Sequence, residues 1–196
     1  DQGFDTTLRA FDISMEKLGL DVLDLYLVHW PSPQRGLYVD TWRALVRLKE
    51  EGRVRSIGVS NFMPEHLDTI IDATGVVPVL NQIELHPRFQ QHELRAAHAE
   101  RGIATQSWSP LGQGALLTDP IITGIAAKHG RTSAQVIIRW HLDSGLIVIP
   151  KSATPSRIVE NANVFDFTLD ADDLAAIAKL DAGDGRMGPN PLTAAF

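Results

Sequence analysis

Cysteine is absent from this 196-residue sequence, which excludes disulfide bonds and thiolate metal sites. No apolar run approaches the ~20 residues that a transmembrane helix needs. The first residues, Asp1 to Asp5, show neither the basic start nor the apolar stretch of a signal peptide. These absences predict a soluble protein of the reducing cytoplasm with no membrane partner.

Positive charge is also scarce, because 18 Lys and Arg residues face 24 Asp and Glu residues, for a net charge of −6. An acidic chain is a poor candidate for nucleic-acid binding, which needs a basic face. The seven histidines show no H-x-H or H-E-x-x-H spacing, so we expect no metal site. The G-x-S-x-G motif of a hydrolase elbow is missing too.

Short apolar runs alternate with amphipathic stretches along the chain. The runs predict strands near 23–30, 56–60, 79–85, 103–108 and 146–150. Helix-start signals lie between or after them, namely Thr132 with Gln135, Thr154 followed by proline, and Asp170 with Asp173. Strands that alternate with helices indicate a parallel α/β fold, which we expect to form a single domain over residues 1–196.

Two α/β architectures fit this pattern. An open doubly wound sheet is disfavoured, because the loop at 111–114 lacks the G-x-G-x-x-G fingerprint. A (β/α)₈ barrel needs eight strands and ~250 residues. Five predicted strands, and a chain that opens directly with a helix, then place about three βα units outside these residues. An extra stretch around Gly112–Thr118 precedes the last strand.

Each predicted strand ends in polar or aromatic side chains. In a parallel barrel these ends meet at one face, where active sites lie, so five such endings predict a functional site. Each residue also has a simpler structural explanation. Trp108 can belong to the core, His29 can be a satisfied strand-end histidine, and Asn61 and Gln82 can tie down loop backbone instead of clamping a ligand carboxamide.

The fifth ending is the most informative. Lys151 and Ser152 directly precede the helix start at Thr154, and Arg157 falls in the first helical turn. Free backbone N–H groups and the helix dipole favour an anion there. Either cation alone is better explained as a solvated side chain, whereas the set predicts a phosphate site.

Taken together, these residues resemble the aldo-keto reductase family, and in particular bacterial members of the 2,5-diketo-gluconate reductase type. The resemblance covers essentially the whole chain in family order. It rests on residues 18–31, 52–62, 81–84, 109–112 and 149–152, followed by Arg157, Glu160 and Asn161.

The resemblance implies a (β/α)₈ TIM barrel that binds NADPH across the strand ends and reduces aldehydes or ketones to alcohols by hydride transfer. By similarity, Ser60, Asn61 and Gln82 hold the nicotinamide carboxamide and Trp108 stacks on the ring. Residues of the loop that follows lie along the pyrophosphate, namely Ser109, Leu111, Gln113 and Gly114. The 2′-phosphate is assigned to Lys151, Ser152 and Arg157, and the adenosine to Glu160 and Asn161. His29 orients the carbonyl, and Trp30 lines the substrate pocket.

The family also uses an Asp, a Tyr and a Lys that fall ahead of Asp1, so His29 is the one catalytic residue that carries over. The chain has two tyrosines. Tyr26 lies three residues before His29 in one strand, which points it to the opposite face. Tyr38 is expected in the loop after that strand, as a substrate-loop residue. We therefore expect these 196 residues alone to have little reductase activity.

Three hypotheses are compatible with these residues. The first is an NADPH-dependent carbonyl reductase of which this chain is the C-terminal part, and which is a monomer once the barrel is complete. The second is a truncated, inactive nucleotide-binding module. The third is a half-barrel that self-associates through its open sheet edges.

Overall fold

The computed structural model describes residues 1–194 and divides them into two compact units. The first unit comprises residues 1–82, 93–104 and 189–194. The second comprises residues 83–92 and 105–188. The chain passes from one unit to the other after residues 82, 92, 104 and 188.

The elements follow one another as strand and helix in near alternation. Their order is α1 Phe4–Leu18, β1 Leu23–Val28, α2 Tyr38–Glu50, β2 Val54–Ser60, α3 Pro64–Thr74, β3 Leu80–Glu84, α4 His92–Glu100, β4 Ala104–Trp108, α5 Pro120–His129, α6 Ser133–Asp143, β5 Ile147–Val148, α7 Pro155–Ala162 and α8 Ala171–Ala178. Two short 3₁₀ turns lie at Pro33–Arg35 and Gly112–Gly114.

In the first unit, β1, β2 and β3 are parallel neighbours in that order, with Leu25 opposite Ser56 and Val59 opposite Asn81. The helices bury their apolar stripes on these strands because each carries large side chains at helical spacing. The fully buried core includes Phe11 of α1, Trp42 of α2, and the residues Leu45, Leu48, Ile57, Phe62, Leu67 and Ile70.

Gly58 marks a close approach inside this sheet. A Cβ at Gly58 would lie 2.8 Å from a side-chain carbon of Leu27 and 2.8 Å from the carbonyl oxygen of Leu80. The neighbouring strands therefore leave no room for a side chain at this position.

In the second unit, β4 and β5 are parallel, with Ser107 opposite Val148. The capping box of Thr132 and Gln135 is confirmed at the start of α6, and that of Asp170 and Asp173 at the start of α8. Ile137 is fully buried on α6 and Trp140 nearly so. Tight N-terminal caps fix where these helices begin and so which faces they bury.

The stretch after Gly112–Thr118 contains a helix that the sequence patterns did not predict. Asp119 caps α5 by accepting hydrogen bonds from the N–H groups of Ile121 and Ile122. Pro120 follows at the first helical position, and Gly130 ends the helix in the left-handed conformation. An Asp-Pro start and a Gly stop were the available signals.

No helix within residues 1–194 is long and apolar enough to cross a membrane.

Candidate functional site

A cavity of about 280 Å³ in the second unit brings together six of the predicted cofactor-binding residues. They come from the loop between β5 and α7, from α7 itself and from the loop after β4, and they are Leu111, Lys151, Ser152, Arg157, Glu160 and Asn161. The remaining lining includes Leu117 and the N-terminal turn of α6. The side chains of Lys151 and Arg157 are exposed at this cavity.

Hydrogen bonds between α6 and α7 hold one wall of the cavity. The hydroxyl of Thr132 donates to the Glu160 carboxylate at 2.9 Å. The amide of Gln135 donates to the carbonyl oxygens of Glu160 at 3.1 Å and Asn163 at 2.8 Å. The Glu160 carboxylate therefore has a fixed place at the edge of the cavity.

The start of α7 offers backbone donors to an anion. Ser152 shapes the turn, because its hydroxyl accepts the N–H of Thr154 at 3.2 Å. Thr154 is the N-cap residue but makes no side-chain capping bond, and Pro155 follows it. A helix start without a side-chain cap, next to two cations, is suited to a phosphate group.

The loop after β4 has an unusual backbone. Ser109 and Gln113 adopt positive φ angles of 48° and 53°, and Gly112 and Gly114 lie at 54° and 91°. Among the described residues, Leu111 is the member of this predicted group that lines the cavity, and Ser109, Gln113 and Gly114 do not. Leu111 nevertheless belongs to the same turn, because its carbonyl oxygen accepts the N–H of Gly114 at 2.9 Å.

Trp108 ends β4 and is half-buried. Next to it lies a buried carboxylate, Glu84, whose two oxygens accept the backbone N–H groups of Met187 at 2.6 Å and Gly188 at 2.9 Å. Nε2 of His86 lies 3.4 Å from the same carboxylate. Burial raises the pKa of Glu84, but the hydrogen bonds from His86, Met187 and Gly188 outweigh that effect and hold the pKa below its usual value.

In the first unit, the predicted carboxamide-binding residues form one hydrogen-bonded group. The Ser60 hydroxyl donates to the carbonyl oxygen of Gln82 at 2.8 Å. Asn61 has a φ of 63°, and its side-chain amide donates to the carbonyl oxygen of His29 and to the Ser60 hydroxyl, both at 3.0 Å. Both amide hydrogens of Asn61 therefore bond to the protein itself, as the structural explanation of this residue expects.

The side chains of Asn81 and His98 stabilise the backbone that follows Asn61. The Asn81 side chain accepts the N–H of Phe62 at 3.3 Å and donates to its carbonyl oxygen at 2.8 Å. Its amide also lies 2.9 Å from Nε2 of His98. Burial lowers the pKa of His98 to about 4, and the charge of Arg101 adds to this effect. A neutral His98 accepts the Asn81 amide hydrogen, and sequence reasoning missed this role for both residues.

His29 and Trp30 follow β1, where their rings meet edge-on with centroids 6.2 Å apart. Both line a cavity of about 620 Å³ in the first unit. The tyrosines are engaged in ring contacts. Tyr26 packs on Phe11 at 5.2 Å, and Tyr38 packs on Phe62 at 5.8 Å. Tyr38 is the first residue of α2 and not a loop residue, which corrects the expectation from the sequence.

Comparisons with known proteins show which family this chain is similar to. The sequence profile of the Aldo/keto reductase family matches residues 5–182. A protein of Mycolicibacterium smegmatis named aldo-keto reductase is 60% identical over 196 residues, which is 100% of this chain and 71% of that protein. Methylglyoxal reductase DkgA of Escherichia coli K12 is 56% identical over 180 residues, 91% of this chain and 65% of that protein. A variant of Gox0644 solved in complex with NADPH is 62% identical, with a TM-score of 0.98 over 100% of this chain and 72% of that structure.

Proposed function

The chain belongs to the aldo/keto reductase family, and from that premise we propose that it binds NADPH and reduces aldehydes or ketones to the corresponding alcohols. The parallel α/β fold class expected from the sequence is confirmed. The observation that carries the proposal is the cavity at the start of α7, which combines two cations, uncapped backbone donors and a fixed carboxylate.

The chemistry of this cavity fits the adenosine end of NADPH. A phosphate monoester carries a charge of about −1.5 to −2 at neutral pH, and Lys151 and Arg157 supply matching charge in a protein whose net charge is −6. Ser152 supports the turn that presents them. Glu160 is placed to accept hydrogen bonds from hydroxyl or amino groups of the adenosine, and Asn161 lines the same wall.

The residues that bind the nicotinamide end are assigned by resemblance and are given for each unit in turn. In the first unit, we assign Ser60, Asn61 and Gln82, which form one hydrogen-bonded group, to the carboxamide. In the second unit, the indole of Trp108 stacks on the ring. The loop from Ser109 to Gly114, whose backbone contains four positive φ angles, follows the pyrophosphate.

When bound, NADPH supplies the hydride for the carbonyl carbon. The residues of this chain bind and orient: His29 holds the carbonyl oxygen, and Trp30 shields the substrate from water. The oxygen also needs a proton, and the resemblance assigns that step to a tyrosine outside these residues. The ring contacts of Tyr26 and Tyr38 agree with that assignment, because both rings pack against aromatic neighbours in the first unit.

The test follows NADPH consumption by the full-length protein with methylglyoxal and a panel of small aldehydes and ketones. We expect oxidation of NADPH only when a carbonyl compound is present, and one alcohol formed for each NADPH consumed. Tight NADPH binding without turnover would favour the nucleotide-binding module instead. Absence of NADPH binding would overturn the proposal. We further propose that the protein is a cytoplasmic monomer. Size-exclusion chromatography with light scattering tests its oligomeric state.

A further inference from the structure

The segment Arg186–Gly188, called the tail segment below, is held against the end of β3 by Glu84. This carboxylate is 1% exposed and lies more than 100 residues away in sequence, as its separations of 103 and 104 residues from Met187 and Gly188 show. Its two oxygens each accept one backbone N–H of the tail segment. Burying a carboxylate is costly unless charge-assisted hydrogen bonds satisfy it, so the contact fixes the path of the tail backbone.

The tail segment also lies directly against Trp108. A Cβ at Gly188 would stand 2.5 Å from Cη2 and 3.4 Å from Cζ2 of the indole, and 3.0 Å from a Glu84 oxygen. Only glycine therefore lets the tail backbone pass between the carboxylate and the ring. The benzo edge of Trp108 thus rests against backbone whose position Glu84 sets.

The same segment reaches the loop that follows Trp108. A Cβ at Gly112 would lie 3.5 Å from the methyl carbon of Met187 and 3.6 Å from the ring of His86. The Arg186 guanidinium stacks over Phe89, with 4.7 Å between its central carbon and the ring centroid. Both ends of the tail segment are therefore anchored, Arg186 by Phe89 and Gly188 by Glu84.

We propose that Glu84 is a positioning residue for Trp108, acting through the tail segment to hold the indole where it stacks on the nicotinamide ring. The inference rests on the proposed function, since it uses the assignment of Trp108 to the nicotinamide. It assigns no chemical step to Glu84 itself. Under this proposal, the affinity for the nicotinamide half of the cofactor depends on a carboxylate that bonds to the backbone of the tail segment and not to the cofactor.

Two substitutions separate this role from general support of the fold. Glu84→Gln keeps one acceptor but places an NH₂ group opposite a tail N–H, so two donors face each other where the wild type has a bond. Gly188→Ala keeps Glu84 intact but forces the tail and the indole apart. Gly183→Ala is the matched control, because it lies in the chain just before the tail segment and a Cβ there would meet nothing within 4 Å.

The readout compares two ligands by calorimetry on the full-length protein: NADP⁺ and adenosine 2′,5′-bisphosphate, which lacks the nicotinamide. For Glu84→Gln and Gly188→Ala we expect about tenfold weaker NADP⁺ binding, the equivalent of ~1.4 kcal/mol. Binding of the bisphosphate should stay within about twofold of wild type, as should both ligands with Gly183→Ala. In a Trp108→Ala background, Glu84→Gln should have no further effect on NADP⁺ binding, because the residue through which it acts is gone.

Each other outcome is decisive. Equal loss of both ligands would show that Glu84 supports the fold in general and would overturn the inference. Unchanged NADP⁺ binding in both variants would overturn it as well. Failure of the wild-type protein to bind either ligand would instead refute the proposed function, and the bisphosphate measurement distinguishes that case.

Discussion

Lys151 and Arg157 provide the sharpest test of how the cavity at α7 selects its cofactor. We consider Lys151→Ala, Arg157→Ala and the double variant. Both side chains are exposed, so their attraction to a phosphate is screened by water and lies toward the lower end of the range for such contacts. A hydrogen bond to a charged group contributes about 1.5–3 kcal/mol, so each single substitution should raise the KM for NADPH by roughly tenfold, the lower bound of that range.

NADH lacks the 2′-phosphate, so the same substitutions should change its KM by less than about twofold. The assay measures initial rates at one saturating carbonyl concentration while NADPH or NADH is varied. Lys179→Ala is the control, because it removes an exposed lysine outside the cavity lining. Higher ionic strength should weaken NADPH binding to the wild type more than to the double variant. Equal increases for NADPH and NADH would refute the assignment of these cations to the 2′-phosphate.

The remaining predictions concern the buried framework. The pKa of His98 falls from 6.5 to about 4 on folding, so the unfolded chain binds more protons between these values and wild-type stability should drop by up to ~3 kcal/mol as pH falls through them. The His98→Gln variant keeps an acceptor for Asn81 but does not titrate, so its free energy of unfolding in urea should lack this drop between pH 6.5 and 4. A variant with the same pH dependence as wild type would contradict this role of His98. Gly58→Ala should destabilise the first unit by ~1–3 kcal/mol, because its Cβ would meet the Leu80 backbone. Gly124→Ala, where a Cβ on α5 would meet nothing, should instead stabilise the protein by ~0.5–1 kcal/mol. Thermal melts in which Gly124→Ala is less stable than Gly58→Ala would refute the packing argument.

Local signals predicted much of the fold. The five strands lie within or next to the apolar runs of the sequence, because strands covered on both faces must be apolar along their length. Thr132 and Asp170 indicated their helices because capping is a contact between near neighbours. By contrast, the apolar residues of α5 are not confined to one stripe, so its periodicity is weak and only its cap and stop residues marked it.

The support of the site was beyond local reasoning. The Asn81 side chain bonds to Phe62, 19 residues away, and Glu84 bonds to Gly188, 104 residues away. Such contacts depend on where elements that are distant in the sequence meet in space. The residue type of an asparagine or a glutamate in a strand does not reveal its long-range partner. The sequence could therefore nominate candidate ligand-binding side chains, whereas the residues that hold them in place became visible only in the structure.

The bond between Glu84 and the tail segment has a consequence for which positions of that segment tolerate substitution. The carboxylate recognises backbone N–H groups, so it is indifferent to which side chain follows Arg186. Met187 is 37% exposed beside this anchor. Its side chain can be exchanged for a polar, aromatic or small one while the backbone stays fastened, whereas Gly188 tolerates no exchange. The tail segment is thus expected to accept substitution at position 187 and to resist it at position 188.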